Sequence, residues 1–160
     1  MRARIQTELA GESRDRYHPK LGFGGLVDVE FLAQWLQMEQ LHMGEGAHAD
    51  TGTLAAVAGL AQSGRIARAD ADALAEGWAF LRAIEQTLKL LEEAQEPVLR
   101  CGTRTAEQVA RRLGIRERDG HDPARVLDAQ YRRVTEEVRA IFERLIAPVP
   151  APAPWAERAP

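Results

Sequence analysis

Cysteine occurs once in this sequence, at Cys101. One thiol cannot close an intramolecular disulfide or build a cysteine metal cluster, which excludes a disulfide scaffold and a zinc ribbon. Long apolar runs are missing too. No stretch approaches the roughly 20 residues of a membrane span, and charge follows Leu9 where a signal peptide would place its cleavage site. A cytoplasmic setting is the expectation. Alternating Val/Ile/Thr segments and Asn-Gly turns are lacking, so no sheet is expected. Lysine is nearly absent, with only Lys20 and Lys89. The net charge of −3 supplies no global field to recruit nucleic acid.

What is present is helical periodicity. The 160 residues are 45% hydrophobic and 28% charged, enough for one globular domain with a core. A short helix is expected over residues 2–9, ending at Gly11. A second is expected over 26–43, with Val29, Leu32, Ala33, Leu36 and Gln40 on its inner stripe and Gly44 and Gly46 as stops. Thr53 is placed to cap a third helix that ends at Gly64. A long fourth helix is expected over 70–94, with Leu74, Trp78, Leu81, Glu85 and Leu88 inward. Thr103 or Thr105 should cap a fifth, closed by Gly114. Asp122-Pro123 opens a sixth that reaches residue 146 with Leu127, Tyr131, Val134, Val138, Ile141, Phe142 and Leu145 inward. The expected fold is therefore all-α, a six-helix bundle with two long antiparallel helices and no sheet. It forms a single domain over 1–147, followed by a Pro/Ala-rich tail over 148–160 that should be extended or disordered.

Charge is unevenly spread. Between Leu21 and Gly64 there is no Lys or Arg, only Asp28, Glu30, Glu39, Glu45 and Asp50. Between Arg100 and Arg144 there are 11 arginines against 8 acids. Such asymmetry fits two contact surfaces, and equally two solvated faces.

The most unusual stretch is HPKLGFGGLVDVEFLAQ, running from His18 to Gln34. Lys20 precedes three glycines, Gly22, Gly24 and Gly25, and a helix follows. Helix N-termini expose unpaired N–H groups and partial positive charge, and glycine lets another body approach closely. Phosphate could therefore meet Lys20 and the amides near Gly24 to Leu26. The stretch is not a P-loop, since Gly-Lys-Ser/Thr is missing, nor a dinucleotide fingerprint, since no strand precedes it. A purely structural reading stands beside the anion site. Asp28 and Glu30 in a first turn are favoured by the helix dipole alone and would repel phosphate. The two acids point about 200° apart on a helix. One could face a ligand while the other pairs inside the domain, but they cannot chelate one ion together. Glu85, on an apolar stripe, needs a partner. Arg82 is nearest in sequence, and a partner on the second helix is equally open. His42, Glu45, His48 and Asp50 sit in a glycine-rich loop without zinc-ligand spacing, and no nucleophile elbow occurs.

KLGFGGLVDVEFLAQ, from Lys20 to Gln34, resembles the Lys-x-Gly-x-Gly-Gly-apolar-x-Asp-apolar-Glu-Phe-x-x-Gln motif of the bacterial glutamine synthetase adenylyltransferase family. MRARIQTEL, FLRAIEQTL and VARRLG, opening at Met1, Phe80 and Val109, resemble its weaker patterns, so the likeness spans about residues 1–146. It implies the helical domain that follows a nucleotidyltransferase domain in a longer enzyme. One half of such an enzyme attaches AMP to a tyrosine of glutamine synthetase, and the other removes it. Val27 stands where the removing half shows Arg, which points to the attaching, C-terminal half. The related domain of PII uridylyltransferases continues with Asp-Leu-Gln, where this chain has Asp28-Val29-Glu30-Phe31.

The family's catalytic Gly-Ser motif and magnesium-binding aspartates belong to the preceding domain, and nothing here matches them. The resemblance thus implies no catalytic residue and no metal in this chain, which should be inactive alone, with ATP and Mg²⁺ bound in the full enzyme. Lys20, Gly22, Gly24, Gly25, Asp28, Glu30 and Gln34 become candidates for a phosphate contact or a domain interface. An arginine across that interface would pair Asp28 or Glu30. Arg82 and Glu85 are a candidate structural pair. The implied partners are the nucleotidyltransferase domain, glutamine synthetase and, as a further candidate, the PII signal protein; neither nucleic acid nor a membrane is expected. The competing readings are a stand-alone helical module that binds a partner through its arginine-rich half, and the related domain of a PII uridylyltransferase.

Overall fold

The computed structural model describes residues 10–44, 52–92 and 97–146. Five helices lie among them: α1 (Leu26–His42), α2 (Thr53–Gln62), α3 (Arg68–Glu92), α4 (Arg104–Arg112) and α5 (Pro123–Ile146). The expected helix over 2–9 and the tail over 148–160 lie outside the described residues.

The ends of the helices follow local chemistry. Thr103 caps α4, its hydroxyl accepting from the Ala106 amide at 3.2 Å. The Asp122 carboxylate accepts from the Arg125 amide at 3.0 Å, one turn into α5, with Pro123 in the first helical position. α2 and α4 both end in Schellman turns. Gly64 (φ 74°) sends the Arg65 amide back to Leu60 O, and Gly114 (φ 73°) sends Ile115 back to Ala110 O, each at 2.9 Å. Thr53 does not act as a cap. It is already helical, and Gly52 takes the N-cap position without a side-chain bond. α3 starts at Arg68, two residues before the expected Asp70, because the Ala71 amide already bonds to Ala67 O.

The inner stripes meet in one core. Val29, Leu32, Ala33, Leu36 and Gln40 of α1 are all buried, as are Leu74, Leu81, Ile84 and Leu88 of α3 and Leu127, Tyr131, Val134 and Val138 of α5. Two contacts fix how the long helices run. Asp70, early in α3, meets Arg144, late in α5, at 2.7 Å, while a Cβ on Gly77 would lie 2.8 Å from Val138 and 3.4 Å from Val134. Moving forward along α3 therefore means moving backward along α5, so the pair is antiparallel. Gly77 lets the helices approach closely where they cross.

The expectation of no sheet is corrected. Arg16–Tyr17 (β1) pairs antiparallel with Leu99–Arg100 (β2), Arg16 opposite Arg100 and Tyr17 opposite Leu99. A two-residue ladder carries no periodicity, so nothing in the pattern announces it. The buried Tyr17 ring lies flat on Tyr131 of α5, with centroids 4.6 Å apart and planes 6° from parallel. A second small pairing joins Arg118 and His121 around Asp119 (φ 53°) and Gly120 (φ 74°), two left-handed residues forming the turn that Asp-Gly favours. No helix among the described residues is long and apolar enough to cross a membrane.

Candidate functional site

The glycine-rich approach to α1 folds onto the bundle itself. Gly24 has φ 60°, and a Cβ there would sit 1.9 Å from the backbone oxygen of Thr135 in α5. A Cβ on Gly22 would sit 2.0 Å from Glu12 Oε1, and one on Gly25 2.8 Å from Lys20 O. Glu12 fastens this turn from outside, accepting from the His18 amide at 2.9 Å and the Phe23 amide at 2.7 Å. The space these glycines leave is thus taken up within the domain, by α5 at Gly24, by Glu12 at Gly22 and by the turn's own backbone at Gly25.

The amides proposed to hold phosphate are also engaged. Gly24 N–H donates to Asp28 Oδ2 at 2.9 Å, Gly25 N–H to Gly22 O at 3.1 Å, Leu26 N–H to Pro19 O at 2.9 Å and Val27 N–H to Lys20 O at 3.1 Å. A helix start that satisfies its own donors has none left for an anion. Lys20 remains exposed on the outer side of the turn.

Asp28 explains the acid in the first turn. It is fully buried, and Arg139 of α5 donates to its Oδ2 at 3.4 Å. Arg139, 4% exposed, also donates to Glu143 at 2.7 Å. Its guanidinium lies over two rings, Phe23 at 5.6 Å and Phe142 at 5.1 Å, giving it cation–π partners where water is excluded. For Asp28, then, the arginine that pairs it lies inside this domain. Glu30 points elsewhere, half-exposed and without an ion pair among the described residues, and Gln34 is exposed. Asp28 and Glu30 diverge as helix geometry requires.

Glu85 is buried to 1%, and each carboxylate oxygen has its own cation: Oε2 accepts from Arg82 at 2.7 Å and Oε1 from Lys89 at 2.8 Å. Burial pushes its pKa up. The Lys89 bond and the charges of Lys89 and Arg82 outweigh burial and hold it below the ordinary value. Sequence proximity identified Arg82 but missed Lys89, one helical turn later.

A cluster invisible to sequence reading joins the small sheet to α5. The Tyr17 hydroxyl donates to Asp128 Oδ1 at 2.5 Å and accepts from Arg132 Nε at 2.8 Å. Cys101 Sγ lies 3.1 Å from the same carboxylate oxygen. Burial and the Asp128 bond push the Tyr17 hydroxyl far up. The Cys101 thiol is pushed up to about 11, by burial first, with Tyr17 drawing it down and Asp128 adding to the rise. These groups stay protonated near neutrality and bind structure rather than react.

The described residues contain no group of three or more His, Cys, Asp or Glu placed to hold a metal ion. Glu45, His48 and Asp50 lie outside them.

The class this defines is a small helical-bundle domain, built around a self-capped glycine turn that an internal Asp–Arg pair clamps to the last helix. By sequence, the chain belongs to the GlnD PII-uridylyltransferase family, whose model matches residues 1–146. It is similar to bifunctional glutamine synthetase adenylyltransferase/adenylyl-removing enzymes. The one from Streptomyces avermitilis is 34% identical over 146 residues, covering 91% of this chain and 14% of that enzyme. The Mycobacterium avium enzyme is 34% identical over 147 residues, with 91% and 14% coverage. That of Stenotrophomonas maltophilia is 35% identical over 150 residues, with 92% and 15% coverage. The chain thus spans about one seventh of the length of these relatives.

Proposed function

We propose that this chain serves as a non-catalytic helical domain that packs against a nucleotidyltransferase domain and supports transfer of AMP from ATP to a tyrosine of glutamine synthetase, a cytoplasmic step in nitrogen regulation. The observation that carries this reading is the similarity over nine tenths of the chain to enzymes named for that activity. Val27 before Asp28 favours the attaching half. The proposed domain runs over 1–147.

ATP and Mg²⁺ fit the partner domain better than this one. Asp28, the acid best placed at a helix start, is occupied by Arg139 and the Gly24 amide. Glu85 is occupied by two cations. Asp28 is sealed between the helices with its charge matched by Arg139, and Mg²⁺ at Glu85 would have to approach two cations already bonded to that carboxylate. Lys20 is the residue with a free role, since it is exposed and can reach a phosphate held on a neighbouring surface.

The test uses the intact enzyme that contains this domain, with labelled ATP and glutamine synthetase. Lys20→Ala should raise the KM for ATP several-fold while the thermal unfolding midpoint stays unchanged. An unaltered KM removes Lys20 from the phosphate contact. Failure of the unmodified enzyme to label glutamine synthetase rejects the adenylyltransferase assignment itself.

A further inference from the structure

α1 has two faces, and the fold uses one. Asp28, Val29, Leu32, Ala33, Leu36 and Gln40 point inward. Glu30, Phe31, Gln34, Trp35, Met38 and Leu41 fall within an arc of about 140° on the other side. Four of these six are large apolar side chains open to solvent: Phe31 and Trp35 at 39%, Met38 at 57% and Leu41 at 62%. Phe31 and Trp35 stack with centroids 6.3 Å apart, so the aromatic edge is already ordered. Beyond them a shallow hollow of about 330 Å³ is lined by Trp35, Met38, Glu39, His42 and Met43. Single exposed apolar residues are ordinary, but a continuous stripe along a whole helix marks a surface that something covers.

We propose that this outer face of α1 is where the nucleotidyltransferase domain docks; the inference rests on the function proposed above. Three observations select that occupant. The relatives carry roughly six sevenths of their length outside the region matched here, so in them this domain has large neighbours on the same polypeptide. Lys20, the residue suited to reach a neighbour's phosphate, lies just before the N-terminal end of the same helix. Glu30, on the same arc, has no ion pair among the described residues, so the partner should present apolar side chains with a basic one beside Glu30. Trp, Phe and Met are the residue types that anchor such contacts.

Met38 is replaced by p-benzoylphenylalanine in the intact protein within its host. The cells are irradiated and the cross-linked peptides are sequenced by mass spectrometry. The expected adduct is a peptide of a nucleotidyltransferase domain, with none from the same probe at the exposed Glu76 of α3. An adduct to a second copy of this chain, to glutamine synthetase or to residues of this domain overturns the proposal, as does no adduct. Met38→Asp and Leu41→Asp should lower AMP transfer at least tenfold at an unchanged melting temperature, and activity within twofold of the parent counts against the docking face. Labelling of glutamine synthetase by the unmodified protein is measured in parallel. Its absence rejects the function, whereas normal labelling with a wrong adduct rejects only the surface.

Discussion

Asp28 Oδ2 and the Arg139 guanidinium meet at 3.4 Å across 111 positions of sequence, both buried between α1 and α5. The same oxygen accepts the Gly24 amide, so one carboxylate holds the glycine turn, the first helix and the last helix together. Removing one partner strands the other charge. Asp28→Ala and Arg139→Met should each cost about 3–5 kcal/mol in urea unfolding, and the double variant should cost at least about 1 kcal/mol less than the sum. Single variants within about 1 kcal/mol of the parent would show that the pair does not clamp the helices.

Gly24 and Gly44 separate backbone conformation from packing. Both are left-handed, at φ 60° and 72°, but only Gly24 has a neighbour in the way. Gly44→Ala should cost about 1 kcal/mol, the conformational term alone. Gly24→Ala should cost at least about 3 kcal/mol, because Thr135 O is main chain in a packed helix and cannot yield cheaply. Equal losses would place the whole effect in φ.

Glu85 gives a pH dependence of defined sign. Its folded pKa is below the ordinary glutamate value, since the Lys89 bond and the Lys89 and Arg82 charges overcome the rise from burial. The folded state therefore binds this proton more weakly than the unfolded chain. The resulting stability is complete above the unfolded value of about 4.3 and is lost as pH falls through the lower folded value. Glu85→Gln should be about 1–3 kcal/mol less stable than the parent at pH 7, with the gap closing only in acid, beneath about pH 4. A gap independent of pH would mean that ionisation of Glu85 contributes nothing.

Cys101 should resist alkylation. With its pKa pushed up to about 11, little thiolate exists at pH 8. Iodoacetamide should label the folded protein about a hundredfold more slowly than the urea-unfolded chain, whose thiol sits near 8.5. Asp128→Asn removes the negative charge that helps keep the thiol protonated and should speed labelling, as followed by intact-mass spectrometry. Folded and unfolded rates that agree would contradict the environment assigned to Cys101.

The helices were legible because their cause is local. Thr103, Asp122-Pro123, Gly64 and Gly114 act through bonds three to five residues away, and the stripes on α1, α3 and α5 state which side is inward. The Asp119-Gly120 turn has its cause in one dipeptide, yet the residues flanking it show no strand alternation to mark a pairing. The partner of Asp28 was not. Arg139 lies at the edge of a stripe, where a charged residue normally reads as solvated, and only α1 packing over it makes it a buried counter-ion. The same holds for Tyr17, Cys101 and Asp128, which meet through a ladder too short to carry a pattern.

The sequence by itself determined that the chain is helical, where α2 and α4 stop, and which faces turn inward, since these depend on neighbours within a turn or two. It also carried the family likeness in its glycine motif. The tertiary structure alone decided what those glycines are for. A turn whose amides from Leu21 to Val27 are internally bonded and whose missing Cβ atoms make room for α5 and for its own loop is a packing device, and that distinction exists only once two helices remote in sequence come within contact distance.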